Sequence, residues 1–254
     1  MTTRLITRRR AIVTGLASIG GLAVAGYRTF GRELPPTYGN LLRMGDTFTY
    51  AAHRTLLPQH ALVREYSPKD ITSFPALGTP DPGANEKSPL GKAYRELQRG
   101  QFADWRLIVE GSVARPQSFS LAELKQLPAR TQITRHTCEE GWTAIGQWTG
   151  VPLSRVLDAV GLLPAARFVL LHSFDDWIDS IDLLDALHPQ TILAYGMNGR
   201  DLPIAHGAPV RLRVERQMGY KSMKYLQRII VTDRFDDGGR RGNIQNGWAW
   251  YTGI

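Results

Sequence analysis

The stretch RHTCEEGWTAIGQWTGV, residues 135–151, decides how the rest of this 254-residue chain is read. It holds Cys138, the one cysteine of the sequence, at the end of a run (residues 132–136) with strand character. Gly141 marks a turn behind it, flanked by Trp142 and Trp148. A lone thiol in this setting has three readings: a small core hydrophobe, a nucleophile or a metal ligand. Arg135, His136, Glu139 and Glu140 make the surroundings polar for a closed core. The nucleophile needs a base, and His136, two residues back, falls on the same face if the strand continues. Zinc is disfavoured, because one cysteine and six scattered histidines give no paired ligand spacing. A single soft thiolate suits a metal whose other ligands come from a cofactor.

Bulk properties set the frame. Apolar residues make up 43% and charged residues 21%, the balance of a globular chain with a large core. One cysteine excludes an intrachain disulfide. The net charge is +8, and Arg4, Arg8, Arg9 and Arg10, in an acid-free opening segment, carry half of it. The other basic residues are interspersed with acids and form no nucleic-acid motif, so nucleic acid is not an expected partner.

Residues 1–30 have the anatomy of an export signal: a basic start, an apolar small-residue stretch over 11–25, and an Ala-Val-Ala site at 23–25. Thr7-Arg8-Arg9 is a twin-arginine pair, the signal for exporting folded proteins, which predicts a periplasmic location, with a tether if the signal is uncleaved. Residues 31–104 read as an extended wrapping segment, with a helix over 41–57 ended by Pro58, a Pro- and Gly-rich loop over 67–88 and a short helix over 94–98. Residues 105–234 read as the core domain. There Ser120 and Glu123 form a capping box, Pro152 is expected to open a helix reaching Val160, and Asn198-Gly199 closes a hairpin. Residues 235–254 read as a tail packed on that core through Trp248 and Trp250. Hairpins and short helices without long regular ones indicate an α+β fold.

A second constellation spans His206 to Arg211 and Gly219 to Lys224. Gly219 breaks a strand, and the following backbone N–H groups, with Arg211, Lys221 and Lys224, offer what a phosphate or pyrophosphate needs. A solvated loop with lysines is the plainer alternative.

Taken in order, TCEEGW (137–142), WTGVPLSRVL (148–157), LAYGMNGRDLP (193–203), HGAPVR (206–211) and GYKSMK (219–224) resemble the sulfite oxidase family of molybdenum enzymes. The closer likeness is to its bacterial periplasmic branch, which includes protein-methionine-sulfoxide reductase catalytic subunits. The resemblance covers roughly residues 105–234 and implies a sulfite-oxidase-type molybdopterin-binding domain. It implies that Cys138 ligates molybdenum alongside one molybdopterin, and that Arg211, Ser222, Met223 and Lys224 hold the pterin and its phosphate. By position it also implies cofactor contacts from Ser173, from His206 and from His53, the last in FTYAAH (48–53), where the family's early Arg and Asn are replaced. Glu140 and His136 join Cys138 as expected catalytic residues, Glu140 as a liner of the substrate pocket.

The implied reaction is oxygen-atom transfer, with reduction of an S- or N-oxide such as methionine sulfoxide, free or in a protein, as the leading expectation. Sulfite-dehydrogenase-type oxidation, or a cofactor-less exported binding protein of the same fold, are the alternatives. The missing early arginine argues mildly against a strict sulfite oxidase. There is no haem-attachment motif, and one cysteine cannot build an iron–sulfur cluster, so electrons are expected through a membrane haem subunit or a soluble cytochrome. The chain stops soon after the core, without the family's immunoglobulin-like dimerisation domain, which predicts a monomer or a heterodimer.

Overall fold

The computed structural model describes residues 44–254, and the chain divides into two compact units, Met1–Pro58 and Gln59–Ile254. In the first unit the predicted helix is α1 (Met44–Leu56), with Asp46 in its first turn and His53 and Arg54 in its last, the order the helix dipole favours. The export signal predicted over residues 1–30 lies outside the described residues.

The second unit opens with an irregular stretch that is stitched down rather than free. Val63 N–H donates to Gln190 Oε1 (2.8 Å), and the Gln190 amide donates back to Val63 O (3.1 Å). Thr72 N–H donates to Ile145 O, and Ile145 N–H donates to Thr72 Oγ1, both at 3.0 Å. Then comes α2 (Pro89–Arg99), longer than the predicted 94–98. Ser88 accepts from Gly91 N–H and Pro89 occupies the first helical position, a start signal visible in the sequence, and Gly100 ends the helix. Its buried Tyr94 donates to Ala208 O at 2.6 Å, fixing the helix to the core.

Ten strands follow in two sheets, the first mixed and the second, against the expectation of mixed sheets throughout, wholly antiparallel. The first comprises β1 (Arg106–Gly111), β2 (Gln117–Ser120), β5 (Phe168–Ser173), β6 (Ile178–Asp182) and β10 (Leu226–Thr232), in the order β2-β1-β10-β5-β6. All its pairs are antiparallel except β1 with β10. The second sheet runs β3 (Arg130–Thr137), β4 (Thr143–Pro152), β7 (Ile192–Met197), β8 (Arg200–Asp201), with β9 (Arg211–Arg213) also on β7. β7 and β8 form the Asn198-Gly199 hairpin, both turn residues at positive φ (50° and 76°), as a type I′ connection demands.

Three short helices join the strands: α3 (Leu121–Gln126), α4 (Leu153–Val160) and α5 (Leu183–Ala186). α3 begins at the predicted capping box, with Glu123 N–H bonded to Ser120 Oγ and Ser120 N–H to the Glu123 carboxylate. Pro152 proves to be the last residue of β4, so the helix it was expected to open starts one residue later. Val156, Leu157 and Val160 of α4 share one core with Val109, Val169 and Ile229 of the first sheet and Leu193 and Leu212 of the second. Burying each such side chain contributes about 1.5–3 kcal/mol.

The C-terminal segment packs on the first sheet. Trp250 donates to Ser180 Oγ (2.9 Å) and meets Phe168 and Phe235 edge-on, and Thr252 O accepts from Met218 N–H (3.0 Å). Beneath it lies a fully buried ion pair: Lys221 Nζ donates to Asp179 Oδ1 (2.6 Å) and Ser180 O (2.8 Å). Burial pushes the lysine down and the carboxyl up, while each partner favours the other's charge. Lys221, grouped with Lys224 as an anion ligand from sequence, is therefore a structural residue. Removing one member of such a pair strands the other, so Lys221→Met is expected to destabilise the fold by about 3–5 kcal/mol in urea unfolding; a loss below about 1 kcal/mol would show the pair to be inert.

Candidate functional site

Cys138 follows directly on β3. Burial alternates along that strand, with Gln132, Thr134 and His136 inward, and Cys138 continues the same face. A tight turn fixes the thiol: Cys138 N–H donates to Trp142 O (2.9 Å), Gly141 N–H to Cys138 O (3.1 Å), and Gly141 takes φ 90°. Desolvation first, and then the carboxylates of Glu139 and Glu140, push the thiol up to about 11. A thiol of this kind is a poor nucleophile at neutral pH, because little of it is thiolate. A metal ion that displaces the proton meets no such obstacle.

Opposite to the thiol in character, but lining the same cavity, is Arg211 on β9. Period-2 alternation puts Arg211 and Arg213 on one face while Leu212 enters the core between them. Both guanidinium groups lie over the Trp148 ring, at 5.1 and 4.5 Å from its centroid. Arg213 is neutralised by buried Glu215 through two bonds (3.0 and 2.8 Å), and Gln132 donates to the same carboxylate. Arg211 has only backbone acceptors, His206 O (2.9 Å) and Ser222 O (2.7 Å), and its buried Nε–H has no partner. Burial and Arg213 push Arg211 down to about 9, leaving it a cation with an unmet demand for an anion.

His136 sits between these groups. Arg213 Nη1 approaches its Nδ1 at 2.8 Å, and since a guanidinium can only donate, Nδ1 accepts and the ring proton belongs on Nε2. Burial, Arg213 and Arg211 drive this imidazole to about 2, so it stays neutral, which does not suit the base that sequence spacing allowed. It is instead a packed element of the wall. Its ring lies so close to Gly219 that a Cβ there would fall 2.2 Å from Nε2.

The other wall is the strap 74–79, in the stretch read from sequence as a wandering loop. Lys224 Nζ reaches three carbonyls, Leu77 O (2.7 Å), Thr79 O (2.5 Å) and Ala205 O (3.1 Å), and Tyr225 Oη donates to Thr79 O (2.7 Å). Phe74 meets the rings of His136, Trp142, Trp148 and His206 at 5.1–6.0 Å. Burial and then Arg211 and Lys224 push His206 down to about 4, so it too is neutral.

The resulting cavity, about 370 Å³, is within the range of small-molecule and cofactor sites. It brings together Cys138, His136, Glu140, His206, Arg211, Ser222, Met223 and Lys224 from the residues singled out in the sequence. It does not include Ser173, whose hydroxyl is engaged in its own turn with Asp175 and with Trp177 N–H and O (both 3.1 Å). His53 lies on α1, in the first unit. The sequence missed Phe74, Asp175, Trp177, Asn243 and the Arg213–Glu215 pair, all of which line or brace the cavity; only the R-x-R-x-E alternation of 211–215 carried a signal for any of them.

Comparison with known proteins gives this arrangement a lineage. The family model described as the oxidoreductase molybdopterin binding domain matches residues 95–239. A putative protein-methionine-sulfoxide reductase subunit, YedZ1, of Azospira oryzae is 40% identical over 158 residues, 62% of this chain and 59% of that protein. The protein-methionine-sulfoxide reductase catalytic subunit MsrP of Xanthomonas campestris pv. campestris is 31% identical over 188 residues, 66% of this chain and 56% of that protein. The chain thus spans a little over half the length of these curated relatives. The sulfane dehydrogenase SoxCD of Paracoccus pantotrophus shares the fold, with a TM-score of 0.50 at 24% identity, over 52% of this chain and 39% of that one. The predicted family and α+β molybdopterin-binding fold are borne out.

The close approach of Gly219 to His136 generates a test. Gly219→Ala forces the imidazole away from Arg213 and is expected to lower unfolding stability by about 1–3 kcal/mol, the usual penalty of overpacking. A variant as stable as the parent would mean that the ring and Gly219 are not packed in this way.

Proposed function

Because the chain belongs to the oxidoreductase molybdopterin-binding domain family, we propose that its cavity holds a molybdenum–molybdopterin centre and that the protein reduces an S- or N-oxide, with methionine sulfoxide as the leading candidate. The observation that carries this reading is the convergence on one cavity of a buried soft thiol, Cys138, and a buried guanidinium, Arg211, with an N–H that no described residue satisfies. The residues present fit the group. Among the described residues no cluster of three or more His, Cys, Asp or Glu side chains is placed to hold a metal, so Cys138 would be the one protein ligand and the dithiolene would supply the remaining sulfur. When bound, the centre supplies two-electron oxygen-atom transfer.

The chain's own residues divide the remaining work. Cys138 gives up its proton and offers sulfur from a turn that leaves it little freedom. Arg211 presents its unshared Nε–H to an anionic group of the cofactor, and the Ser222–Lys224 segment closes the same side. Neutral His136 and His206, with Phe74, exclude water without adding charge. Overall, the substrate's oxygen leaves as water, taking up two protons and two electrons, and the substrate is reduced to sulfide or amine. The electrons would come from a haem-containing membrane subunit or a soluble cytochrome, since one cysteine cannot build an iron–sulfur relay. The twin-arginine pair and apolar stretch of residues 1–30 support export to the periplasm after the cofactor has been inserted.

Protein expressed with its own leader is expected to carry molybdenum and pterin, to reduce methionine sulfoxide with reduced methyl viologen, and to transfer far fewer electrons from sulfite to cytochrome. Cys138→Ser is expected to lose more than about 100-fold of the reductase activity, beyond the usual cost of an outer-sphere change. Absence of molybdenum, or a fully active Cys138→Ser, would overturn the proposal; sulfite turnover outpacing sulfoxide reduction would reverse its direction.

A further inference from the structure

The cavity changes character from floor to mouth. Cys138, Arg211 and Met223 are each about 5% exposed and form the floor. Towards solvent come Glu139, Asp175, Trp142 and Trp177, half-buried, and Glu140 and Trp248, exposed. The two cations that line the cavity, Arg211 and Lys224, are tied by backbone carbonyls. Among the described residues none of the three carboxylates forms a direct ion pair, although Asp175 acts on Lys224 at longer range. Glu140 accepts from Trp142 Nε1 (3.3 Å), Glu139 from the Cys138 thiol (3.5 Å), and Asp175 from Ser173 Oγ. A protein of net charge +8 therefore places at this entrance carboxylates that no direct ion pair among the described residues offsets, Glu139 and Glu140 above all.

The unshared Nε–H of Arg211 supports reading the floor as the place of the cofactor's anionic group, which leaves the mouth for whatever approaches that group. Unpaired carboxylates around a concave opening focus a negative potential there and lower the local concentration of anions. The faces of Trp142, Trp177 and Trp248 add attraction for cations and for the electron-poor alkyl groups beside an oxidised sulfur or nitrogen. We propose that this mouth selects substrate by charge: Glu139, Glu140 and Asp175, set among the three tryptophans, admit neutral or cationic S- and N-oxides and hold off anions such as sulfite. The inference rests on the reading of the floor as the cofactor site and adds the residues that choose the substrate.

Two redox-inert probes of similar size test it on the holoenzyme: trimethylsulfonium, a cation, and methanesulfonate, an anion. Each is titrated as an inhibitor of viologen-driven dimethyl sulfoxide reduction and, separately, through its effect on tryptophan fluorescence, which needs no turnover. In the parent protein the cation is expected to bind at least about tenfold more tightly by both readouts, and the Glu139→Gln/Glu140→Gln double variant to reduce that ratio about tenfold. Asp175→Asn, on a different loop and still able to accept from Ser173, is expected to shift the ratio in the same direction, which guards against a misfolded double variant. Equal binding of the two ions by the parent, or a ratio unmoved in both variants, overturns the charge filter while leaving the reductase reading intact. Loss of all oxide reduction with the fluorescence selectivity preserved would instead sink the reductase reading and leave the filter standing.

Discussion

Two guanidinium groups are buried side by side over one tryptophan, and among the described residues only one of them is hydrogen-bonded to a carboxylate. Arg213 takes that carboxylate, Glu215, in a two-bond pair, and Arg211 is left with carbonyl oxygens and a free Nε–H. Burying an uncompensated cation costs several kcal/mol, and a fold retains such a group where a ligand completes it. Much of the cavity follows from this imbalance. Burial first, and then the neighbouring cations, keep His136 and His206 neutral, and burial followed by Arg211 lowers Lys224 to about 8.

The fold holds this charge in place by ordinary means. Strand alternation on β9 aims both arginines one way and Leu212 the other, and β3 delivers Cys138 on the face that carries His136. The turn at Gly141 then stops the chain with the thiol inward. Lys224 acts as a clamp, with three carbonyls from two segments closing the strap 74–79 over the site. The Lys221–Asp179 pair anchors the next stretch of the same loop beneath the C-terminal segment, which brings Trp248 to the mouth, stacked on Tyr220. One four-residue run, Lys221 to Lys224, thus serves stability through its first residue and lines the cavity through the other three.

Much of this was legible in the sequence where the signal is local. The capping box at Ser120, the Asn198-Gly199 hairpin and the strand into Cys138 are all fixed by neighbours within a few residues, and all are present. The cavity's floor was legible because its residues fall in short motifs. What could not be read depends on contacts far apart in the chain. Nothing local marks Phe74, in a Pro-rich stretch, as the ring that touches His136 and Trp148, because those partners lie on β3 and β4, some sixty residues on or more. Lys221 and Lys224 look alike in sequence, yet Asp179 claims one and the strap the other. Ser173 is singled out only by its position in the family resemblance, and its own turn takes the hydroxyl.

Cys138 is proposed as the protein's ligand to molybdenum, in a cavity whose floor charge the cofactor would complete. X-ray absorption at the molybdenum edge puts this to the test, on protein expressed from the full sequence. The account predicts that Cys138→Ser, if it retains metal, shows one sulfur fewer around molybdenum than the parent, with the remaining sulfur shell unchanged. An identical sulfur count in the two proteins would contradict it.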